Sequence, residues 1–145
     1  MILLIQTLLL TSYLALVGYK FKRIPSSISE TYYLWGDNHK IFTLWMLGMG
    51  VVTCLYPSPW LFFAGALLCI TAVSAQYRDR TTNTIHYIGA VGAYVMACIE
   101  INPLLTGCIV LLSFLLYLSK VASRVYWVEV LSFFIIMGGL LLRFY

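Results

Sequence analysis

His86 and Glu129 combine reactive side chains with positions inside apolar segments of the sequence. His86 precedes Gly89 by three residues and Ala93 by seven, so the three share one face of a helix. Small residues on such a face let another helix approach closely, and His86 should therefore point into a bundle. Glu129 stands about one turn inside the last apolar segment, where a carboxylate facing lipid would be unfavourable.

An acid and an imidazole buried near each other indicate one of two roles. They can line a polar pocket that holds a head group, shuttles a proton or supplies a general base. Alternatively, they form a structural hydrogen bond or ion pair that joins their two helices. The sequence leaves both roles open, and we take His86 and Glu129 as the candidate catalytic pair.

A second group of polar residues lies between the first two apolar segments and comprises Glu30, Asp37 and His39. Together with His86, these side chains are candidates for binding a polar ligand or a metal ion. The chain has two histidines, which excludes a three-histidine zinc site. Helix capping explains Glu30 and Asp37 without a metal. We therefore expect no metal site and no cofactor.

A third group is basic. Arg78 and Arg80 flank Asp79, and Arg124 precedes the last apolar segment. Arginine forks match the oxygens of a phosphate, which makes these arginines candidates for binding an anionic head group. The alternative is that they set the membrane topology and meet anionic lipids without forming a defined site.

The elements that position these residues are apolar helices. The chain has 145 residues, of which 10% are charged, and its mean hydropathy is +0.93. No soluble domain of this size carries so little charge, so the composition indicates an integral membrane protein. No connection is long enough to fold alone, so residues 1–145 should form one all-α domain. We predict a polytopic six-helix transmembrane bundle whose helices cover about residues 2–19, 41–56, 59–76, 85–100, 103–119 and 126–142.

The charges are concentrated on one face of this predicted bundle. With six spans, the first, third and fifth connections lie on the same side of the membrane. They and the flanking helix ends carry eight of the nine Lys and Arg residues and both histidines. The positive-inside rule places these connections in the cytoplasm and both termini outside. A polar ligand should therefore bind at the Lys/Arg-rich face.

Local signals add a short helix after the first long one. Residues 27–30, Ser-Ile-Ser-Glu, have the form of a capping box, which predicts a short helix from Ile28 to Trp35. Ile28, Tyr32 and Trp35 would share one face, and their aromatic rings favour the membrane interface. Asp37 is expected to cap the following helix.

Two tight turns are predicted on the opposite face. Ser58 stands before Pro59 and Asn102 before Pro103. Each pair places a capping residue ahead of a proline at the first helical position. The sequence thus predicts two helical hairpins that turn on the same side.

Three short motifs resemble the FRAG1/DRAM/Sfk1 proteins and the bacterial DUF998 membrane proteins. Residues 24–31, Ile-Pro-Ser-Ser-Ile-Ser-Glu-Thr, are similar to the P-x-I-S-D-T segment after the first helix of that family. Residues 86–90 resemble its H-x-x-G-A pattern, and residues 126–130 resemble the segment that carries a glutamate in its last helix. The resemblance implies a six-helix bundle linked to the remodelling of lipid anchors and to lipid asymmetry. By position it makes four residues functional: Ser29, Glu30, His86 and Glu129. In a catalytic version His86 or Glu129 would be the base, and we take Ser29 as the candidate nucleophile.

Two features depart from that family's pattern. Tyr32 follows Glu30-Thr31 where the family has a glycine. The family's loop faces away from the cytoplasm, whereas the charge distribution here places it inside. Because the charge distribution is a physical argument about this chain, we expect the basic connections to be cytoplasmic.

These observations predict a membrane-embedded protein that binds or remodels lipid. Its polar pocket would open at the Lys/Arg-rich face, with His86 and Glu129 at its floor and residues 29–39 as a lid. The expected partners are membrane lipids and, in a homo-oligomer, further copies of the chain, with no nucleic acid. One alternative is a small oligomeric transporter or channel. The other is a non-catalytic assembly subunit, in which the small-residue stripe of Gly89, Ala93 and Ala97 would face a partner chain.

Overall fold

The computed structural model describes residues 1–75, 80–119, 121 and 123–145, with only the backbone of Arg80. Within them the regular secondary structure is helical, without strands. The helices are α1 (Ile2–Phe21), α2 (Glu30–Leu34), α3 (Lys40–Cys54), α4 (Pro59–Ser74), α5 (Arg80–Glu100), α6 (Pro103–Leu118) and α7 (Arg124–Phe144). A 3₁₀ turn at Gly36–Asn38 joins α2 to α3. The predicted all-α class is confirmed for this part of the chain.

The two uncharged turns fold as predicted. Ser58 Oγ accepts a hydrogen bond from the Leu61 N–H at 3.4 Å, and Asn102 Oδ1 accepts one from the Leu104 N–H at 2.8 Å. In both helices a proline follows the cap at the first helical position. Proline suits this position because an N–H there would have no partner within the helix. Ser58 also contacts Glu100 at the end of α5, so the two hairpins turn at the same end of the bundle.

Contacts between distant residues define the two ends. The Met1 amino group lies 3.4 Å from the Tyr145 hydroxyl, so the two termini are adjacent. At the other end, the Tyr126 N–H at the start of α7 donates to the Ser26 carbonyl oxygen at 3.0 Å. We term the end with the first, third and fifth connections the polar end, and the end with the termini and tight turns the opposite end.

The short helix α2 differs from its prediction in length and surroundings. It covers Glu30–Leu34 rather than residues 28–35, and Gly36, with φ +53°, follows it at the start of the 3₁₀ turn. Ile28, Tyr32 and Trp35 share a face as predicted, but they are only 2%, 8% and 7% exposed. Their side chains pack into the core between α1 and α3. The helix is therefore part of the core rather than a cover over it.

Close contact between α4 and α5 requires glycine at position 89. A Cβ atom at Gly89 would lie 2.6 Å from Thr71 Oγ1 and 3.2 Å from the Leu67 carbonyl oxygen of α4. Further along the predicted stripe, Ala93 and Ala97 are 3% and 7% exposed. The stripe thus packs within the chain. It does not provide the intermolecular surface that the assembly-subunit hypothesis predicted for it, and that hypothesis itself stays a prediction.

Two of the described helices, α1 and α7, are long and apolar enough to cross a membrane. The helices α4 and α6 are apolar but have only 16 residues each. Length and composition thus give some support for a membrane protein, while the predicted number of six spans stays a proposal.

Candidate functional site

The polar end holds a cavity of about 420 Å³ between the first connection, α4, α5 and α7. The three predicted catalytic residues, although distant in sequence, line it together. We term this space the polar cavity. Its principal polar side chains are those of Ser29, Glu30, Ser74, Asn83, His86 and Glu129.

His86 is buried, and both of its ring nitrogens have partners. Its Nδ1 lies 3.0 Å from the Thr71 carbonyl oxygen, and its Nε2 lies 2.8 Å from Ser29 Oγ. The carbonyl of Thr71 belongs to the last turn of α4, where helical carbonyl groups lack intrahelical partners. The Ser74 hydroxyl also donates to this carbonyl, at 3.2 Å. The end of α4 therefore supplies an acceptor that orients the His86 ring.

Ser29 precedes the first residue of α2, but its hydroxyl does not cap that helix. Ser27 takes this role, because its Oγ accepts a hydrogen bond from the Glu30 N–H at 3.0 Å. The predicted capping box is thus confirmed for its serine, while the Glu30 carboxylate accepts from the Ser26 N–H instead of returning to Ser27. The half-buried Ser29 hydroxyl is left directed at His86.

Glu129 fastens the first connection to α7. Its Oε2 accepts a hydrogen bond from the Ile28 N–H at 2.5 Å, one residue before Ser29. From α5, the Tyr94 hydroxyl donates to the Glu129 carbonyl oxygen at 3.0 Å. His86 and Glu129 are therefore neighbours with different partners. The direct link between them that the sequence allowed does not occur among the contacts of the described residues.

Glu30 lies at the rim of the polar cavity, with its side chain 31% exposed. Its carboxylate accepts a hydrogen bond from the Ser26 N–H and lies 3.8 Å from the Arg23 guanidinium. The Ser26 N–H and, to a smaller degree, the charge of Arg23 hold the pKa of Glu30 below its ordinary value of 4.5. An ionised Glu30 thus holds the turn that leads to Ser29.

Asp37 and His39 lie away from the polar cavity. Asp37 is exposed in the 3₁₀ turn, and α3 begins without a side-chain cap, so the capping role predicted for Asp37 is wrong. His39 Nδ1 lies 2.9 Å from the Gly36 carbonyl oxygen, and its ring packs against Tyr32. Among the described residues no group of three or more His, Cys, Asp or Glu could hold a metal ion. The ligand-binding roles of Asp37 and His39 stay predictions.

The three predicted head-group arginines are only partly described. Arg124 donates to the Tyr117 carbonyl oxygen at 3.1 Å, and its guanidinium carbon lies 5.1 Å from the centroid of the Tyr117 ring. These contacts hold Arg124 against the end of α6. Arg78 and the side chain of Arg80 lie outside the described residues. The binding role of all three stays a prediction.

Sequence reasoning missed Thr71 and Ser74, which complete the surroundings of His86. They are 1% and 6% exposed. A signal was present, because both are polar residues three positions apart on an otherwise apolar helix and therefore share one face. Polar groups on such a helix point inward.

A second polar centre, also missed, lies at the opposite end. The carboxylate of Glu100, which is 7% exposed, accepts hydrogen bonds from Ser58 Oγ at 2.5 Å and from Arg143 Nε at 2.6 Å. This contact joins α4, α5 and α7. We term it the Glu100 cluster.

Close to this end, a buried chain of hydrogen bonds joins α1 to α3. The Gln6 Nε2 group donates to Thr53 Oγ1 at 2.8 Å, and the Tyr56 hydroxyl donates to Gln6 Oε1 at 2.9 Å. Thr53 Oγ1 donates in turn to the Met49 carbonyl oxygen at 2.7 Å. Each of these buried polar groups has a hydrogen-bond partner within the chain, which indicates that the residues stabilise the packing of α1 on α3.

Two small cavities lie next to the polar cavity, inside the bundle. The first has a volume of about 20 Å³ and shares Ser29 and Glu129 with the polar cavity. The second, of about 40 Å³, shares Leu68, Tyr94 and Phe133 with the first and is lined mainly by apolar side chains. We term these two cavities the apolar seam. The reactive side chains thus lie where a polar space meets an apolar one.

Comparison with protein-family models, with curated proteins and with solved structures gives no match to this chain. The resemblance to the FRAG1/DRAM/Sfk1 and DUF998 proteins therefore stays a prediction. The function proposed below rests on the residues of the chain itself.

Proposed function

We propose that this chain is a membrane protein of six spans that binds a membrane lipid for remodelling, with the lipid head group in the polar cavity. In the proposed orientation the Lys/Arg-rich connections face the cytoplasm and both termini lie outside.

The surface of the bundle supports a membrane location. Large apolar side chains are exposed on every long helix: Leu8 is 59% exposed, Leu44 67%, Phe63 55%, Val91 60%, Phe114 56% and Leu142 80%. Monomeric soluble proteins rarely expose extended apolar surface. Lipid chains around α1 and α3–α7 would cover these residues.

The observation that carries the lipid proposal is the mixed lining of the polar cavity. Ser29, His86 and Glu129 offer hydrogen-bonding groups, whereas Ala75, Ala90 and Val125 give the same cavity apolar walls. A site with a few placed polar groups and apolar walls suits a ligand with the same division. A lipid, with a polar head and an apolar chain, has it.

Native mass spectrometry of the protein released from nanodiscs of phosphatidylethanolamine and phosphatidylglycerol tests the proposal. We expect the wild type to retain a bound phospholipid. His86→Ala should release it because the imidazole that lines the cavity is lost. Glu129→Gln should lower its occupancy because a neutral amide is a weaker acceptor for the Ile28 N–H and loosens the first connection.

Glu100→Gln is the matched control, since it makes the same acid-to-amide change at the opposite end. It should retain the lipid as the wild type does. Equal, loosely held lipid in the wild type and in every variant would contradict the proposal.

A further inference from the structure

We propose that Ser29 is the nucleophile and His86 the general base of an acyl-transfer reaction on a carboxylic ester of a membrane lipid. This inference rests on the proposed lipid function of the polar cavity. It adds the bond that is broken and the residues that break it.

The hydrogen bonds of His86 determine which ring nitrogen carries the proton. The Thr71 carbonyl oxygen, 3.0 Å from Nδ1, can only accept. The Ser74 hydroxyl, 3.4 Å from Nδ1, donates its proton to the same carbonyl, so Nδ1 is the protonated nitrogen. In the neutral ring Nε2 then has a free lone pair. At 2.8 Å it accepts the hydrogen bond of the Ser29 hydroxyl. This is the arrangement in which an imidazole removes a proton from a serine.

Ser29 is placed as a nucleophile rather than as a structural serine. A serine that precedes a helix usually caps it, but Ser27 caps α2 and leaves the Ser29 hydroxyl unused there. Ser29 is half-buried and lines the polar cavity, whereas His86 is 7% exposed. The attacking oxygen is thus open to a ligand while its base is shielded.

Two further groups position this pair. The Thr71 carbonyl oxygen fixes the His86 ring, in the place that a carboxylate takes in other serine–histidine sites. Glu129 accepts a hydrogen bond from the Ile28 N–H and so positions the adjacent Ser29.

Asn83 has a different role. It lies one turn before His86 on α5 and lines the same cavity, where its amide can donate to a developing oxyanion.

The reaction proceeds in two steps, acylation of Ser29 and removal of the acyl group. Ser29 Oγ attacks the carbonyl carbon of the lipid ester, and its proton passes to His86 Nε2. The tetrahedral intermediate collapses, the bond to the alcohol oxygen breaks, and the leaving alcohol takes the proton from Nε2. The product is an acyl ester on Ser29. Water or another alcohol then attacks that ester, again giving its proton to His86, and Ser29 recovers its hydrogen as the acyl group leaves.

A carboxylic ester fits this site better than a phosphate ester. Among the described residues, the charged side chains that line the polar cavity are the acids Glu30 and Glu129. Phosphoryl transfer needs cationic groups around the transferred phosphate, and no cationic side chain lines the cavity among the described residues. An ester carbonyl is neutral, and the apolar side chains of Ala75, Ala90 and Val125, which line the same cavity, suit the start of its acyl chain.

A long-chain alkyl fluorophosphonate, which bonds covalently to activated serines, tests the inference on the full chain in nanodiscs. Peptide mass spectrometry should locate the adduct on Ser29. The adduct should be absent in Ser29→Ala and form about 10²-fold more slowly in His86→Gln, because a general base contributes about 10²–10⁴-fold. Ser29→Cys should react with a long-chain acyl thioester at the same position. Ser113→Ala, which removes a hydroxyl bonded to the Ile109 carbonyl oxygen in α6, should label as the wild type does.

The lipid measurement separates this inference from the proposed function. The wild type should both retain a phospholipid that depends on His86 and carry the adduct on Ser29. If the wild type holds lipid through His86 but Ser29 stays unlabelled, acyl transfer is wrong and lipid binding stands. An adduct on another serine, or equal labelling of Ser29 with and without His86, also overturns the inference. Ser29 labelling without any retained phospholipid would contradict the proposed stable binding of phospholipid.

Discussion

Glu129 and Glu100 are both acids near the ends of apolar helices, yet their carboxylates are used differently. Both oxygens of Glu100 are engaged, one by the Ser58 hydroxyl and one by the Arg143 guanidinium. Glu129 places one oxygen on the Ile28 N–H and faces a cavity of about 420 Å³. The two ends of the bundle thus contain similar residues in different situations.

This difference between the two carboxylates is the reason why we assign a structural role to the Glu100 cluster and propose a ligand-binding role for the polar cavity. In the Glu100 cluster the charges and hydrogen bonds are satisfied by side chains of the same cluster, so its effect is to hold three helices together. In the polar cavity, the His86 and Ser29 hydrogen bond faces open space in which a ligand can take part. Active sites generally give up some stability for such open groups. Substitutions at the two ends should therefore affect different properties.

The largest effect on stability should come from Arg143→Met. It leaves the buried Glu100 carboxylate without its cation, and breaking buried pairs costs about 3–5 kcal/mol. The Arg143 side chain is 57% exposed, so we expect the lower part of that range, about 3 kcal/mol of unfolding free energy in mild detergent. Lipid retention in the folded fraction should be unchanged.

Two further variants complete this comparison of the ends. Glu100→Gln combined with Arg143→Met should recover most of the stability, because no unpaired charge is left. His86→Gln should change the unfolding free energy by about 1 kcal/mol, the contribution of a typical hydrogen bond, while lipid is lost. The comparison fails if Arg143→Met releases the lipid, or if His86→Gln unfolds the chain as strongly.

An intermediate effect is expected from Gly89→Ala, which acts on stability and site together. The added Cβ would meet Thr71 Oγ1 at 2.6 Å and push α5 away from α4. We expect a loss of about 1–2 kcal/mol, as for overpacking, because the Thr71 hydroxyl is bonded to the Leu67 carbonyl oxygen and cannot simply turn aside. The shift also lengthens the contact between His86 and the Thr71 carbonyl oxygen, so labelling of Ser29 should slow.

Gly138→Ala is the matched control for this substitution. A Cβ at Gly138 has no neighbour within 4 Å, so the change should be neutral or stabilise by up to about 1 kcal/mol. Thermal unfolding and the labelling rate, measured on both variants, check the pair. Equal behaviour of the two would show that the α4–α5 contact does not position His86.

The order of the helices could be predicted from the sequence because it depends on local signals. Apolar length located the six long helices, and Ser58-Pro59 and Asn102-Pro103 located two of their starts. The surroundings of α2 could not be predicted. Periodicity shows that Ile28, Tyr32 and Trp35 share a face, but not whether lipid or protein covers that face.

The candidate site was partly predictable for a topological reason. Ser29, His86 and Glu129 all stand near the polar ends of their segments, so alternating helices bring them to the same end. The partner of each could not be predicted, because it depends on how neighbouring helices are rotated. The Thr71 carbonyl oxygen is a backbone group, and nothing in the sequence marks it as the acceptor for His86.

The smallest effect should be a dependence on pH at the rim of the polar cavity. The pKa of Glu30 is lowered in the folded chain, so its contribution to stability is fully present above the ordinary value of 4.5 and is lost as the pH falls through the folded-state value. The ion pair with Arg23 is partly exposed, and such pairs contribute about 0–1 kcal/mol. Glu30→Gln should therefore flatten the acid limb of the thermal midpoint, whereas Asp37→Asn, exposed in the 3₁₀ turn, should leave it unchanged. An identical acid limb in the wild type and Glu30→Gln would mean that the charge of Glu30, through the Ser26 N–H and Arg23, does not stabilise the turn. The polar end would then be as insensitive to acid as the Glu100 cluster.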